Sequence, residues 1–231
     1  KGWSDVDTLV VVKKDTLESA SRLNEFRDLC LKADKYLSLV DPLKHHGLIY
    51  CAEHDLENYA SNIMPIEVLQ NAVSLLRNNR VFSCRLAENN YDSRLMFSNR
   101  VKVFKEASKT GIFKHHMKDG KYLTSRLPKN NDVLYQLKYF LGLIMTMPSY
   151  YLEAIGTPCY KADSFQNVKE KISQKAWCMM DKSSFIRQQW ESKEKHPYTE
   201  GNKVPAWVID TLGSDYFQEA ELLMVEMEEL L

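Results

Sequence analysis

The stretch Gly2-Trp3-Ser4-Asp5-Val6-Asp7-Thr8-Leu9-Val10-Val11-Val12 decides how the chain is read. Leu9, Val10, Val11 and Val12 form an apolar, largely β-branched run too short for a helix, and Lys13-Lys14 stops it, so the spacing predicts a strand over 5–12. Alternate residues of a strand point to the same side. Asp5 and Asp7 therefore share one face, with Val6 on the other, and their Cα atoms stand about 7 Å apart. Two carboxylates at that spacing suit hard divalent cations. Magnesium takes oxygen ligands and fills its remaining positions with water and phosphate oxygens, which a bound triphosphate supplies. Two such ions can activate an attacking hydroxyl and stabilise leaving pyrophosphate in an in-line displacement.

Outward from this strand, Asp15 followed by Glu18 has the spacing of a capping box, and Leu23, Phe26, Cys30, Ala33 and Leu37 form an apolar stripe at helical spacing. A helix is expected from there to about Val40, where Asp41-Pro42 ends it. A second apolar run of strand length over 47–52 leads into Glu53, His54 and Asp55, and Pro65 is placed to open a helix reaching Leu76. Over 81–129 the pattern weakens into short strands or a helix pair. Beyond Asp132 the character is helical. Val133, Leu134, Leu137, Phe140, Leu141, Ile144 and Met145 follow the helical repeat until Pro148 interrupts it, and Gly156 suits a left-handed helix stop. Asp163 with Gln166 suggests another capping box, opening a helix with Phe165, Val168, Ile172 and Ala176 on one side. Tyr216, Ala220, Leu223, Met227 and Leu230 make the acidic tail an amphipathic helix, which offers an oligomer contact. Linkers are expected over 78–90 and 127–132.

The bulk numbers fit this division. A chain of 231 residues accommodates two modest domains, and 44% hydrophobic with 27% charged residues excludes a disordered chain. No run approaches the roughly 20 apolar residues of a bilayer span, so the chain reads as soluble and cytoplasmic with no membrane partner. Five scattered cysteines form neither a disulfide framework nor a zinc knuckle, and are expected to be reduced and mostly buried. The balance of 31 basic and 31 acidic residues hides a polarity. Ten Lys or Arg and two acids lie between Arg94 and Lys129, whereas seven acids and no Lys or Arg lie from Val208 to Leu231. The basic stretch, interleaved with Phe97, Phe104, Phe113 and Tyr122, reads either as a phosphate or nucleic-acid surface or as a solvated face.

Gly2-Trp3-Ser4-Asp5-Val6-Asp7 ahead of an apolar strand resembles the Ser-Asp-x-Asp strand of nucleotidyltransferases of the DNA-polymerase-β-like superfamily. The helical part resembles the annex that follows many such cores. The resemblance implies an α/β (α+β) core with a mixed sheet over 1–126, followed by an all-α bundle over 127–231. It implies transfer of a nucleoside monophosphate from a nucleoside triphosphate to a hydroxyl of a small molecule, an RNA end or a protein, with two Mg2+ ions as cofactors. Asp5 and Asp7 would be the metal ligands. Glu53 or Asp55, on one face of the second strand, would supply the family's third carboxylate, with Glu53 favoured because it follows the apolar run directly. The Gly-Ser turn that receives the triphosphate in family members would precede Lys1. Ser4, His46 and Lys161 are candidates for nucleotide contact, His46 because an imidazole beside Gly47 can meet phosphate or orient the acceptor. A triphosphate carries more charge than two magnesium ions offset, so part of the basic stretch is expected beside Asp5 and Asp7. The rival reading keeps the fold as a non-catalytic nucleotide- or protein-binding module. A ribonuclease reading of the bundle is poor, because Arg187 and His196 are too far apart in sequence for that pattern.

Overall fold

The computed structural model describes residues 7–40, 47–59, 64–73, 83–86, 91–116, 122–126, 134–159, 161–189 and 204–231; at 40, 91, 115–116, 122–126, 134–136, 138 and 161 it describes the backbone alone. The chain divides into two compact units, Ser4–Ser93 and Arg94–Leu231. This boundary precedes the one expected after Arg126, for a reason visible in the second unit's core below.

The N-terminal unit is built on β1 (Thr8–Val12), the short helix α1 (Lys14–Leu17), the long helix α2 (Ala20–Val40) and β2 (Leu48–Ala52). A 3-10 helix over Glu53–Asn58 and the short α3 (Ile66–Gln70) follow. β1 and β2 pair in parallel, Thr8 beside Leu48 through Val12 beside Ala52. Parallel strands need a crossover, and α2 provides it. Gly47 enters β2 with φ +61°, a left-handed conformation that favours glycine. On one side of the pair, Leu9 and Val11 pack with Cys51 on a small core of Leu56, Tyr59 and Ile66. On the other, Tyr50 meets Phe26 of α2 edge to face, with ring centroids 6.1 Å apart. The segment at 83–86 is held to the first by main-chain bonds, Arg85 N–H donating to Leu56 C=O and Tyr59 N–H to Arg85 C=O, each 2.9 Å.

Three local expectations for this unit need correction. Asp15 caps no helix: α1 starts beyond Lys13 without a side-chain cap, and Asp15 instead takes the Arg22 guanidinium at 2.6 Å. The second strand does not run on to Asp55, because the chain turns into the 3-10 helix at Glu53. The helix behind Pro65 stops at Gln70.

The C-terminal unit takes its first helix, α4 (Tyr91–Thr110), from the region read as short strands or a helix pair. Arg100 to Phe104 lie within that helix. A hairpin of β3 (Ile112–His116) and β4 (Tyr122–Arg126) follows, antiparallel, with Ile112 beside Arg126. Then come α5 (Leu134–Ala154), α6 (Lys161–Lys169), α7 (Gln174–Gln189), α8 (Ala206–Leu212) and α9 (Tyr216–Glu229). One core joins them: Phe97, Val101, Phe104 and Ala107 of α4 and Phe113 of β3 are buried in the same cluster as Phe140, Ile144, Met180 and Leu223. This shared core is why 94–126 belongs with the bundle. The helical bundle itself stands as expected, while the mixed sheet is realised among the described residues as two separate two-stranded sheets.

Pro148 does not interrupt α5, which runs through it to Ala154. The missing amide is tolerated because the turn beyond it is anchored by buried Tyr151, Leu152 and Ala154. Gly156, at φ +78°, ends the helix as expected: its N–H donates to Glu153 C=O and that of Thr157 to Leu152 C=O, the paired closure of a Schellman motif. Asp163 lies in the first turn of α6 rather than ahead of it, and Ala176 belongs to the next helix. The start of α7 is instead capped by Ser173, whose hydroxyl accepts the N–H of Ala176 at 3.2 Å, while Glu226 of α9 accepts from both the N–H and the hydroxyl of Ser173 at 2.7 Å. The stripe on α9 is buried at Tyr216, Ala220, Leu223 and Met227 within its own unit, while Leu230 at its end is exposed. No helix among the described residues is long and apolar enough to cross a membrane.

Phe140 is fully buried and its ring meets those of Phe104, Phe113, Tyr216 and Phe217 at centroid distances of 5.6, 5.4, 5.7 and 5.7 Å. Phe140→Ala is expected to cost about 3–5 kcal/mol in urea unfolding of the C-terminal unit; a loss under about 1 kcal/mol would show that this cluster does not hold the unit together. In the N-terminal core, burial first and the neighbouring Cys51 second push the Cys84 thiol up to about 11. Its folded value thus exceeds its unfolded one, so the stability it contributes is complete below about pH 9 and lost towards about pH 11. Denaturation curves of the native chain and of Cys84→Val across that window should diverge, with the variant losing less; parallel curves would contradict the burial.

Candidate functional site

Asp7 immediately precedes β1 and is exposed, while Ser4, Asp5 and His46 lie outside the described residues. The strand expected over 5–12 begins only at Thr8, so Asp7 lies just ahead of it and outside its alternation, while Leu9 and Val11 face the small core. Glu53 and Asp55 sit beyond the other end of the pair. Because β1 and β2 are parallel and in register, Asp7 is one residue before the level of Thr8 and Leu48, and Glu53 one residue past the level of Val12 and Ala52. Six residue levels at about 3.3 Å each separate them by about 20 Å along the strands. Metal–oxygen bonds of about 2.0–2.6 Å, or two ions about 4 Å apart, do not span that distance. The structure therefore does not bring Glu53 or Asp55 together with Asp7, and a single centre made of Asp5, Asp7, Glu53 and Asp55 is corrected on this point.

Glu53 and Asp55 have local partners. Asp55 Oδ2 accepts the N–H of Ala52 at 3.2 Å, reaching back over the first turn of the 3-10 helix as a capping side chain does. Its other oxygen lies 3.3 Å from His54 Nε2. Desolvation by burial, and after it the charge of Asp55, raise the pKa of the Cys51 thiol. Glu53 Oε2 lies 3.4 Å from the N–H of Lys14, a long contact to the start of α1. Both acids organise the strand-to-helix turn. Their spacing, read as strand alternation, gave no sign of this, because one carboxylate after an apolar run looks alike whether the strand continues or a turn begins.

Lys161 opens α6 in the C-terminal unit, and only its backbone is described. Among the described residues, four cations of the basic stretch are engaged within that same unit. Arg94 Nε donates to Ala154 C=O at 3.1 Å, where α5 ends. The Arg100 guanidinium lies 4.0 Å from the ring centroid of Tyr150, and its Nη2 donates to a hydroxyl 3.0 Å away, that of the same tyrosine. Lys105 pairs with Glu228 of the acidic tail at 2.6 Å, and Lys114 with Glu106 at 2.8 Å. Phe97, Phe104 and Phe113 are buried, so they are core residues and offer no stacking surface. Lys182, between the carboxylate of Glu219 and the carbonyl of Leu212, fastens α7 to α8 and α9. Sequence reasoning did not single it out, since a lone Lys in a helix has no distinguishing pattern.

None of the five cysteines is in a disulfide, and, against the expectation of mostly buried thiols, only Cys51 is fully buried while the other four are half-buried. No group of three or more His, Cys, Asp or Glu placed to hold a metal occurs among the described residues. The N-terminal unit also has a cleft of about 550 Å³ beside α2, lined by Leu23, Phe26, Cys30, Leu31, Leu48 and Tyr50 among others. Comparison with protein-family models, with curated proteins and with solved structures returns no match.

The capping geometry of Asp55 makes a direct prediction. Asp55→Ala should destabilise the N-terminal unit by about 1 kcal/mol, the usual cost of losing a helix-capping side chain, whereas Glu53→Ala should stay within about 0.5 kcal/mol as an exposed substitution. Urea denaturation followed by tryptophan-independent circular dichroism measures both; equal losses would refute the separate roles.

Proposed function

We propose that the N-terminal unit binds a magnesium-complexed nucleoside triphosphate through Asp5 and Asp7, and that the chain is a nucleotidyltransferase moving a nucleoside monophosphate to a hydroxyl with release of pyrophosphate. One observation carries the reading. The Ser-Asp-Val-Asp segment leads straight into β1, with Asp7 exposed at its start, and β1 pairs in parallel with β2 across a single helical crossover. An exposed carboxylate there can take a metal ion at little cost in folding energy. In this reading Asp5 and Asp7 are the metal ligands, with Ser4 and His46 as phosphate contacts from neighbouring sequence. Gly47, one residue level before the β1–β2 ladder, is the position beside Asp7 where a backbone without a side chain admits a ligand. The acceptor belongs to the class of hydroxyls on small molecules, RNA ends or proteins. A reducing compartment such as the cytoplasm suits five cysteines outside any disulfide.

A second reading, the non-catalytic nucleotide-binding module, is favoured by the placement of Glu53 and Asp55 at the far end of the strands. Without them the proposed site has two acids and lacks the third carboxylate that would accept the acceptor's proton.

The two readings separate in one pair of measurements. Calorimetric titration with each of the four ribonucleoside triphosphates should give saturable binding to at least one, dependent on magnesium. Asp7→Asn should weaken that binding about tenfold or more, equivalent to about 1.4 kcal/mol, and Glu53→Gln should leave it within about twofold. If pyrophosphate is released, Asp7→Asn should lower the rate by about 10²–10³. Binding without release supports the second reading, and absence of binding to all four triphosphates sinks both.

A further inference from the structure

We draw no further inference here: the strongest candidate, the apolar cleft between α2 and β2 lined by Leu23, Phe26, Cys30, Leu31, Leu48 and Tyr50, carries nothing because nothing in the structure shows what covers it.

Discussion

Five residue pairs hold β1 beside β2, from Thr8 opposite Leu48 to Val12 opposite Ala52, and both strands run the same way. No tight turn can join such a pair, so the chain must travel back along its length, which is the role of α2. The direction of the strands then fixes which chemistry can meet. Residues that enter the two strands stand together at one end, and residues that leave them stand together at the other. Asp7 belongs to the first group. Glu53 and Asp55 belong to the second, with Lys13 and Lys14, and the contact of Glu53 with the Lys14 amide is a consequence of that grouping. Ligand chemistry at the acid pair must therefore draw its other groups from the entry end or from elsewhere in the chain.

The C-terminal unit is governed by a different balance. Its core is a cluster of rings centred on Phe140, with methionines and leucines of α5, α7 and α9 around it. Charged groups then tie the helices at their margins: Lys105 to Glu228, Lys182 to Glu219 and Ser173 to Glu226. The half-buried pair Lys182 and Glu219 works with a carbonyl that completes the cation's hydrogen bonds, the condition under which removing an ion pair from water is offset. The opposed charges of the 94–129 stretch and the tail are in part this internal fastening, so the polarity along the sequence has an architectural use.

Much of this was legible in the residues. The apolar run over 9–12, the apolar run of β2, the Schellman glycine at 156 and the stripe of α9 each follow from a single period or a single backbone requirement, and each formed; α2 formed as well, although Leu23 and Ala33 of its stripe are exposed. What failed was whatever depended on context. Pro148 stops an isolated helix, but burial of the following turn outweighs its cost. The 94–110 segment carries so many charges that the helical stripe of Phe97, Val101, Phe104 and Ala107, spaced by three and four, does not stand out in the sequence. For the candidate site, the position of Asp7 at the strand start was readable. The separation of Glu53 and Asp55 was not, because alternation within a strand says nothing about the relative direction of two strands.

Under the proposed function, metal-bound triphosphate sits at the entry end of the β1–β2 pair. Manganese can replace magnesium and broadens the amide signals nearest to it, so a nuclear magnetic resonance titration of the isotope-labelled chain with manganese and a nucleoside triphosphate reads the location directly. Binding there predicts early loss of the signals of Asp7, Thr8, Gly47 and Leu48 while those of Glu53 to Asn58 persist. Loss of the Glu53 to Asn58 signals first, with Asp7 and Thr8 unaffected, would contradict it.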